Sequence, residues 1–105
     1  MPLYIVTYEH PDEAGWREHL APHIAWLQDR LADGALLASG PFTGDPQKTA
    51  MLILTAPDQE AVEALIATDP FAVEGLIANM TVRAWDPIFG AFNARSTMPG
   101  RMQTR

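Results

Sequence analysis

The spacing of apolar residues alternates along the chain between a period of two and a period near 3.6, and this alternation restricts the possible folds strongly. Leu3 to Tyr8 is a β-branched and aromatic run, which predicts a first strand ending before Pro11. The next apolar residues recur at helical spacing and predict one face of a first helix; they are Trp16, Leu20, Ile24, Leu27 and Leu31. Gly34 is the predicted stop of this helix.

Pro22 falls within this first helical stretch. Proline has no backbone N–H and is tolerated best in the first turn of a helix. We therefore expect either that Pro22 occupies the first turn of the main helix, or that it separates a short entry turn from the rest.

The remaining chain predicts three strands and a second helix. Strands are expected in Ala35 to Phe42, in Thr49 to Thr55 and around Met80 to Ala84, the last ending before Pro87. Asp58 is the predicted N-cap of the second helix, whose buried stripe is Ala61, Val62, Leu65 and Ile66. Thr68-Asp69-Pro70 is expected to stop that helix and to begin a short helical turn.

The resulting order, β-α-β-β-α-β, predicts an α+β domain in which both helices cover one face of a four-stranded antiparallel sheet. With 105 residues there is room for one domain, which we place at 1–92, followed by a C-terminal tail at 93–105. The second face of the sheet needs cover, so we expect a homodimer or a higher homo-oligomer. The stretch from Trp85 to Phe92 is expected to lie across that dimer, and the tail is expected to be mobile or to clasp a partner.

Composition excludes several classes of function. The chain has 13 acidic and 7 basic residues, which argues against nucleic acid as a partner. It contains no cysteine, so thiolate nucleophiles, Fe–S clusters and cysteine-based zinc sites are excluded. The N-terminal apolar run is too short for a signal peptide or a membrane helix, and we expect no membrane partner and a cytoplasmic location.

The histidines of the first helix are the first candidates for chemistry. His19 and His23 are four residues apart, which is also a spacing of zinc sites, but no glutamate base lies between them and we expect no metal. His23 stands among Leu20, Ile24 and Leu27, so we expect it to be partly buried and suited to proton transfer near neutral pH. A structural histidine bonded to a carbonyl and to water is the alternative.

Asp69 also has two interpretations. Its carboxylate can simply cap the short helix that begins at Pro70, or it can hold one nitrogen of His23 so that the other faces a pocket. Ser39-Gly40-Pro41 can place a hydroxyl and a backbone N–H at the floor of that pocket. Aromatic side chains either line the pocket or belong to the core; they are Tyr4, Tyr8, Trp26, Phe71 and Trp85.

Two stretches of this sequence together resemble the YciI-like (YCII-related) family. The first runs from Ala21-Pro22-His23-Ile24-Ala25-Trp26-Leu27 to the strand that ends in Ser39-Gly40-Pro41, and the second contains Asp69-Pro70-Phe71, Gly75-Leu76 and Val82-Arg83-Ala84-Trp85. The resemblance covers about residues 3–90. It implies a ferredoxin-like βαββαβ plait that pairs through its sheets into a dimeric α/β barrel, with an acid–base pair that falls on His23 and Asp69.

The resemblance also implies an activity. One branch of the family eliminates HCl from a chlorinated hydroxyquinol-type ring without a metal or an organic cofactor. We therefore expect a cofactor-independent lyase or isomerase acting on a small cyclic substrate, with His23 and Asp69 as catalytic residues and with Ser39, Gly40, Pro41, Tyr8 and Phe71 near the substrate. A non-catalytic module that binds a small molecule is the alternative hypothesis. A cofactor-free monooxygenase or a haem-binding barrel of the same architecture is a third.

Overall fold

The structure, a computed structural model, describes residues 1–100. Its strands are β1 (Leu3–His10), β2 (Leu36–Pro41), β3 (Lys48–Thr55) and β4 (Ala78–Trp85), and its helices are α1 (Glu13–Ala32), α2 (Gln59–Ile66) and α3 (Pro70–Val73). The strands form one antiparallel sheet in the order β2-β3-β1-β4. This is the ferredoxin-like βαββαβ arrangement, so the predicted fold class is confirmed.

The core lies between the helices and one face of the sheet. Alternate residues of β1 point to the helices, as the period of two requires, and those of β3 and α2 meet them. The buried members of this cluster are Tyr4, Val6, Tyr8, Trp26, Leu36, Leu52, Leu54, Ala56, Val62 and Ile66. Because β1 continues two residues past the predicted end at Tyr8, the same alternation carries His10 onto the helix-facing side.

Pro22 lies in the middle of α1, and both expectations for it were wrong. The helix is continuous from Glu13 to Ala32, with Asp12 as N-cap accepting a hydrogen bond from the Gly15 N–H. Gly34 follows the helix with a φ of +86°, a conformation that favours glycine. Pro22 itself is exposed, so the carbonyl that loses its partner is on the solvent side of the helix, where water can replace the missing bond.

The apolar stripe predicted for α1 is not its most buried face. His23 and Trp26 are the buried residues of the helix, whereas Ile24 and Leu31 are 44% and 52% exposed. Most of the stripe borders an open cavity described below, so these side chains shape a hollow rather than fill the core. Helical periodicity identified the apolar side of α1 but did not distinguish a cavity wall from a packed interface.

Both short helices begin as predicted. The Asp58 side chain accepts a hydrogen bond from the Ala61 N–H at the start of α2, and the Asp69 side chain accepts one from the Phe71 N–H at the start of α3. Pro70 occupies the first turn of α3, where its missing N–H costs nothing. The chain then leaves α3 through Gly75, whose φ of +69° favours glycine.

The segment after β4 folds back on itself. The Asp86 carboxylate accepts hydrogen bonds from the Ser96 hydroxyl and from the Thr97 hydroxyl. The buried Asn93 side chain donates to the carbonyls of Ile88 and Met98. These bonds cross the boundary between domain and tail that we predict after residue 92. Arg101 and Arg105, which belong to the predicted tail, lie outside the described residues, and clasping of a partner by this tail stays a prediction.

The sheet face turned away from the helices is mixed in character. Ile5 pairs with Ile53 and Arg83 near one end, and Thr7 pairs with Thr81 and Met51 further along. Trp85, at the end of β4, is 36% exposed. Across residues 1–100, no helix combines the length and hydropathy needed to cross a bilayer.

Candidate active site

The imidazole of His23 meets the carboxylate of Asp69 across 46 residues of sequence. Nδ1 of His23 lies 2.9 Å from Oδ1 and 3.0 Å from Oδ2 of Asp69. Asp69 is fully buried and His23 is 8% exposed. A carboxylate accepts and does not donate when ionised, so Nδ1 carries the proton and Nε2 is the unprotonated nitrogen of the neutral ring.

Asp69 is held rigidly by its own local structure. Its Oδ1 accepts the Phe71 N–H at 3.0 Å, and its backbone carbonyl accepts from Ala72 and Val73. The carboxylate therefore both caps α3 and orients His23, so the two interpretations of Asp69 from the sequence are compatible.

Aromatic rings fix the plane of the His23 imidazole. The Phe71 ring stacks on it at a centroid separation of 4.0 Å and an angle of 19°, and the Trp26 ring is nearly parallel at 6.4 Å. Trp26 is in turn anchored because its Nε1–H donates to Thr68 Oγ1 at 2.8 Å. The Thr68 hydroxyl then donates to the Leu65 carbonyl at 2.7 Å. These contacts leave the His23 ring little rotational freedom.

His23 forms part of the wall of a cavity of about 690 Å³ between α1, the β2–β3 loop and the end of β1. This is a suitable volume for a small organic ligand. Its wall includes His10, Glu13, Trp16, Leu20, His23, Ile24, Leu27, Ser39, Gly40, Pro41, Phe42, Asp45, Lys48 and Phe71. Nε2 of His23 makes no hydrogen bond within residues 1–100, so it is available to a molecule in this cavity.

The predicted substrate-contacting residues divide into two groups. Ser39, Gly40, Pro41 and Phe71 all border the cavity. Gly40 has open space where a side chain would start, so a ligand can approach its backbone closely. The structure does not bring Tyr8 to this wall.

Tyr8 is buried in the core beside His10, with ring centroids 5.0 Å apart. Its hydroxyl has no hydrogen-bond partner within residues 1–100. Burial, together with the nearby negative charge of Asp69, raises the pKa of Tyr8 well above its usual range. Tyr8 is therefore a neutral phenol at any physiological pH.

His19 is not part of the site. It does not border the cavity, and its Nε2 lies 4.0 Å from a carboxylate oxygen of the exposed Glu18. Within residues 1–100, no group of three His, Asp or Glu side chains is arranged to hold a metal ion.

Two cavity residues, His10 and Lys48, were missed by the sequence analysis. His10 is 3% exposed, and its Nδ1–H donates to the Leu76 carbonyl at 2.8 Å. Burial lowers the pKa of His10, and the neighbouring His23 contributes in the same direction. Extending the alternation Tyr4, Val6, Tyr8 by one step would have placed His10 on the helix-facing side.

The fold and the site define a small ferredoxin-like α+β domain with a buried imidazole–carboxylate pair at the wall of an open cavity. The chain belongs to the family of YCII-related domains, which it matches over residues 1–86. A search among curated proteins finds no significant match to this chain.

Solved structures share the fold. The chain is similar to the 5-chloro-2-hydroxyhydroquinone dehydrochlorinase of Burkholderia phenoliruptrix, solved in complex with 2,5-dihydroxybenzoquinone, with a TM-score of 0.68, 22% identity and coverage of 80% of this chain and 93% of that one. It is similar to muconolactone isomerase with a TM-score of 0.62, 15% identity and coverage of 80% and 88%. It is also similar to an antibiotic biosynthesis monooxygenase, with a TM-score of 0.52, 20% identity and coverage of 80% of this chain and 96% of that one.

Proposed function

We propose that this protein is a cofactor-independent acid–base enzyme, a lyase or an isomerase, acting on a small cyclic organic substrate. One observation carries the proposal: the imidazole whose Nδ1 is held by the buried Asp69 carboxylate is also the imidazole that borders the cavity. The fold likeness to a dehydrochlorinase and to an isomerase is in keeping with this class of chemistry.

In the proposed reaction, His23 moves the proton. For an elimination, Nε2 takes a proton from the substrate, the released electron pair forms a new double bond, and the leaving group departs with its own bonding pair. For an isomerisation, the same proton returns from Nε2 to another atom of the substrate. Asp69 acts through His23 as a positioning residue, since it holds the tautomer and stabilises the imidazolium that forms.

The other proposed contacts follow from their places in the cavity wall. The Ser39 hydroxyl and the Gly40 backbone are proposed to stabilise negative charge that develops on a substrate oxygen. Phe71 and Pro41 supply apolar contact for the ring of the substrate. Tyr8 is not included, because it lies behind the wall.

The test is a survey of turnover with compounds of the two reaction classes. Wild-type protein is incubated with 5-chloro-2-hydroxyhydroquinone and with muconolactone, and chloride release and products are followed by ion chromatography and NMR. We expect turnover of a ring compound that is lost in His23→Asn and retained in His19→Asn, a matched histidine outside the cavity. Retention of full activity in a folded His23→Asn variant would contradict the proposal.

A non-catalytic small-molecule-binding module is the second candidate, because the His23–Asp69 contact also stabilises the link between α1 and α3. It predicts that ligands raise the melting temperature and are recovered unchanged. A panel in which every stabilising compound is recovered unchanged would favour binding alone.

We also propose that the protein is a homodimer or a higher homo-oligomer that pairs through the sheet face away from the helices. The exposed Trp85 and the partly exposed Met51 on that face support this proposal. Light scattering should give at least twice the mass of the chain, and Trp85→Glu should reduce it. A monomer at micromolar concentration would contradict the assignment.

A further inference from the structure

His10 and Lys48 form a pair on the cavity wall that the proposed proton transfer does not use. They are directly opposite each other in the β1–β3 ladder, and both border the cavity. Directly opposed residues in antiparallel strands have Cβ atoms about 5 Å apart on the same face of the sheet. The two side chains therefore start side by side on one face of the sheet, and both reach the wall of the cavity.

The hydrogen bonding of His10 determines what its free nitrogen can do. Because Nδ1 donates to the Leu76 carbonyl, Nε2 is the lone-pair nitrogen of the neutral ring. Nε2 has no partner within residues 1–100. Burial keeps the ring neutral at physiological pH by lowering its pKa. His10 therefore presents a hydrogen-bond acceptor, which suits a hydroxyl group of a ligand.

Lys48 supplies a positively charged hydrogen-bond donor, whereas His10 supplies a neutral acceptor. It is the only lysine of the chain, and its side chain is 37% exposed with Nζ 4.3 Å from the centroid of the Trp16 ring. The nearest carboxylate, Glu13, lies 3.8 Å away and is shared with Arg17 at 3.1 Å. The positive charge of Lys48 is therefore only loosely paired and can attract an anionic group.

The other carboxylate on the cavity wall is already engaged. Asp45 accepts a hydrogen bond from the Thr49 hydroxyl at 2.7 Å. The rest of the wall near α1 is apolar, with Leu20, Ile24 and Leu27 facing the hollow. A ligand that uses the whole surface needs an apolar ring, an anionic group and a hydroxyl donor.

We propose that His10 and Lys48 form a recognition subsite that selects small unsaturated rings carrying an anionic oxygen group together with a separate hydroxyl. The anionic group binds Lys48, and the hydroxyl donates to Nε2 of His10. This inference rests on the proposed function in placing the substrate in this cavity. Its test measures binding without turnover, so failure of the subsite can be distinguished from failure of the proposed enzymatic function.

The experiment uses three probes that differ by one group each. Isothermal titration of the full chain compares 3-hydroxybenzoate, benzoate, which lacks the hydroxyl, and 3-hydroxybenzamide, which lacks the charge. His10→Asn keeps a side-chain N–H for the Leu76 carbonyl and removes the ring nitrogen Nε2, and the shorter asparagine leaves no acceptor at the Nε2 position. Lys48→Met keeps the apolar stem on Trp16 and removes the charge. His19→Asn and Arg95→Met, the latter at an exposed arginine after β4, are the matched controls outside the cavity wall.

We expect 3-hydroxybenzoate to bind most tightly to the wild type. His10→Asn should weaken its binding by about 3- to 10-fold, the value of one neutral hydrogen bond, and should leave benzoate unchanged. Lys48→Met should weaken both acids by about 10-fold or more and should spare the amide. The two controls should change neither.

Four results would overturn the assignment. The first is equal binding of benzoate and 3-hydroxybenzoate to the wild type, and the second is equal weakening of both acids by His10→Asn. The third is no effect of Lys48→Met on the binding of either acid. The fourth is no saturable binding of any probe at millimolar concentration. If His10→Asn does not fold, the wild-type ¹⁵N spectrum decides: 3-hydroxybenzoate must shift the His10 Nε2 resonance more than benzoate does.

Discussion

The Phe71 ring stacks on the imidazole of His23 at 4.0 Å, while the Phe71 backbone N–H donates to the Asp69 carboxylate that holds the same imidazole. Three consecutive residues, Asp69 to Phe71, therefore constrain both the hydrogen bonding and the plane of His23. The pair is a link between α1 and α3 as well as a candidate acid–base centre, and removal of either partner should affect stability as well as chemistry.

Asp69→Ala should lower the free energy of unfolding by about 3 kcal/mol, since it removes a helix cap and leaves the buried Nδ1–H of His23 without an acceptor. Asp69→Asn keeps an amide oxygen in place and should cost about 1 kcal/mol. Urea unfolding followed by circular dichroism measures both. Equal stability of Asp69→Ala and wild type would show that the contact between His23 and Asp69 is absent in solution.

Acid should destabilise the protein through His10. Its pKa is lowered in the folded state from the ordinary value of 6.5, so the unfolded chain binds the proton more readily. The contribution of the neutral His10 ring to the free energy of unfolding is therefore complete above pH 6.5. It declines as the pH falls towards the pKa that His10 has in the folded state. His10→Asn should therefore flatten the fall in unfolding free energy below pH 6.5, whereas His19→Asn should not. An equal slope for His10→Asn and wild type would contradict the prediction.

Gly15→Ala should destabilise the protein even though alanine favours a helix over glycine by about 1 kcal/mol. A Cβ at this position would lie 2.6 Å from Cδ2 of the buried Leu76 and 2.7 Å from Oδ2 of Asp12, which caps α1. Overpacking of this kind costs about 1–3 kcal/mol, so the net loss should be about 1 kcal/mol. Thermal unfolding checks it, with Ala21→Gly at an exposed position of α1 as the measure of helix propensity. A higher melting temperature for Gly15→Ala would refute it.

Local chemistry explains how much of the fold the sequence predicts. Aspartate before a helical pattern predicts a cap, which is the prediction for Asp58 and one of the two interpretations of Asp69, and β3 is predicted by its uninterrupted apolar centre. The position of Pro22 in the middle of α1 is not predicted, because proline has a very low helix propensity and is expected only in the first turn. Whether a helix continues through it depends on whether water can reach the freed carbonyl, and tertiary packing decides that.

The site was predictable in a different way. The meeting of His23 and Asp69 spans 46 residues, and spacing alone could not indicate it; the resemblance to a family supplied that pairing. The placement of Lys48 opposite His10 depends on the register of β1 and β3, which is set by contacts along the whole ladder. The alternation along β1 predicts only that the His10 side chain lies on the helix-facing side of the sheet.

The uniqueness of Lys48 has a practical consequence for spectroscopy. Reductive methylation with ¹³C-formaldehyde would introduce labelled methyl groups at one side-chain amine in the whole chain, and that amine borders the cavity. Apart from the N-terminal amine, which lies on an exposed residue, the spectrum would contain a single reporter. Occupancy of the hollow by an unknown compound could then be followed through one resonance, without an assay of turnover.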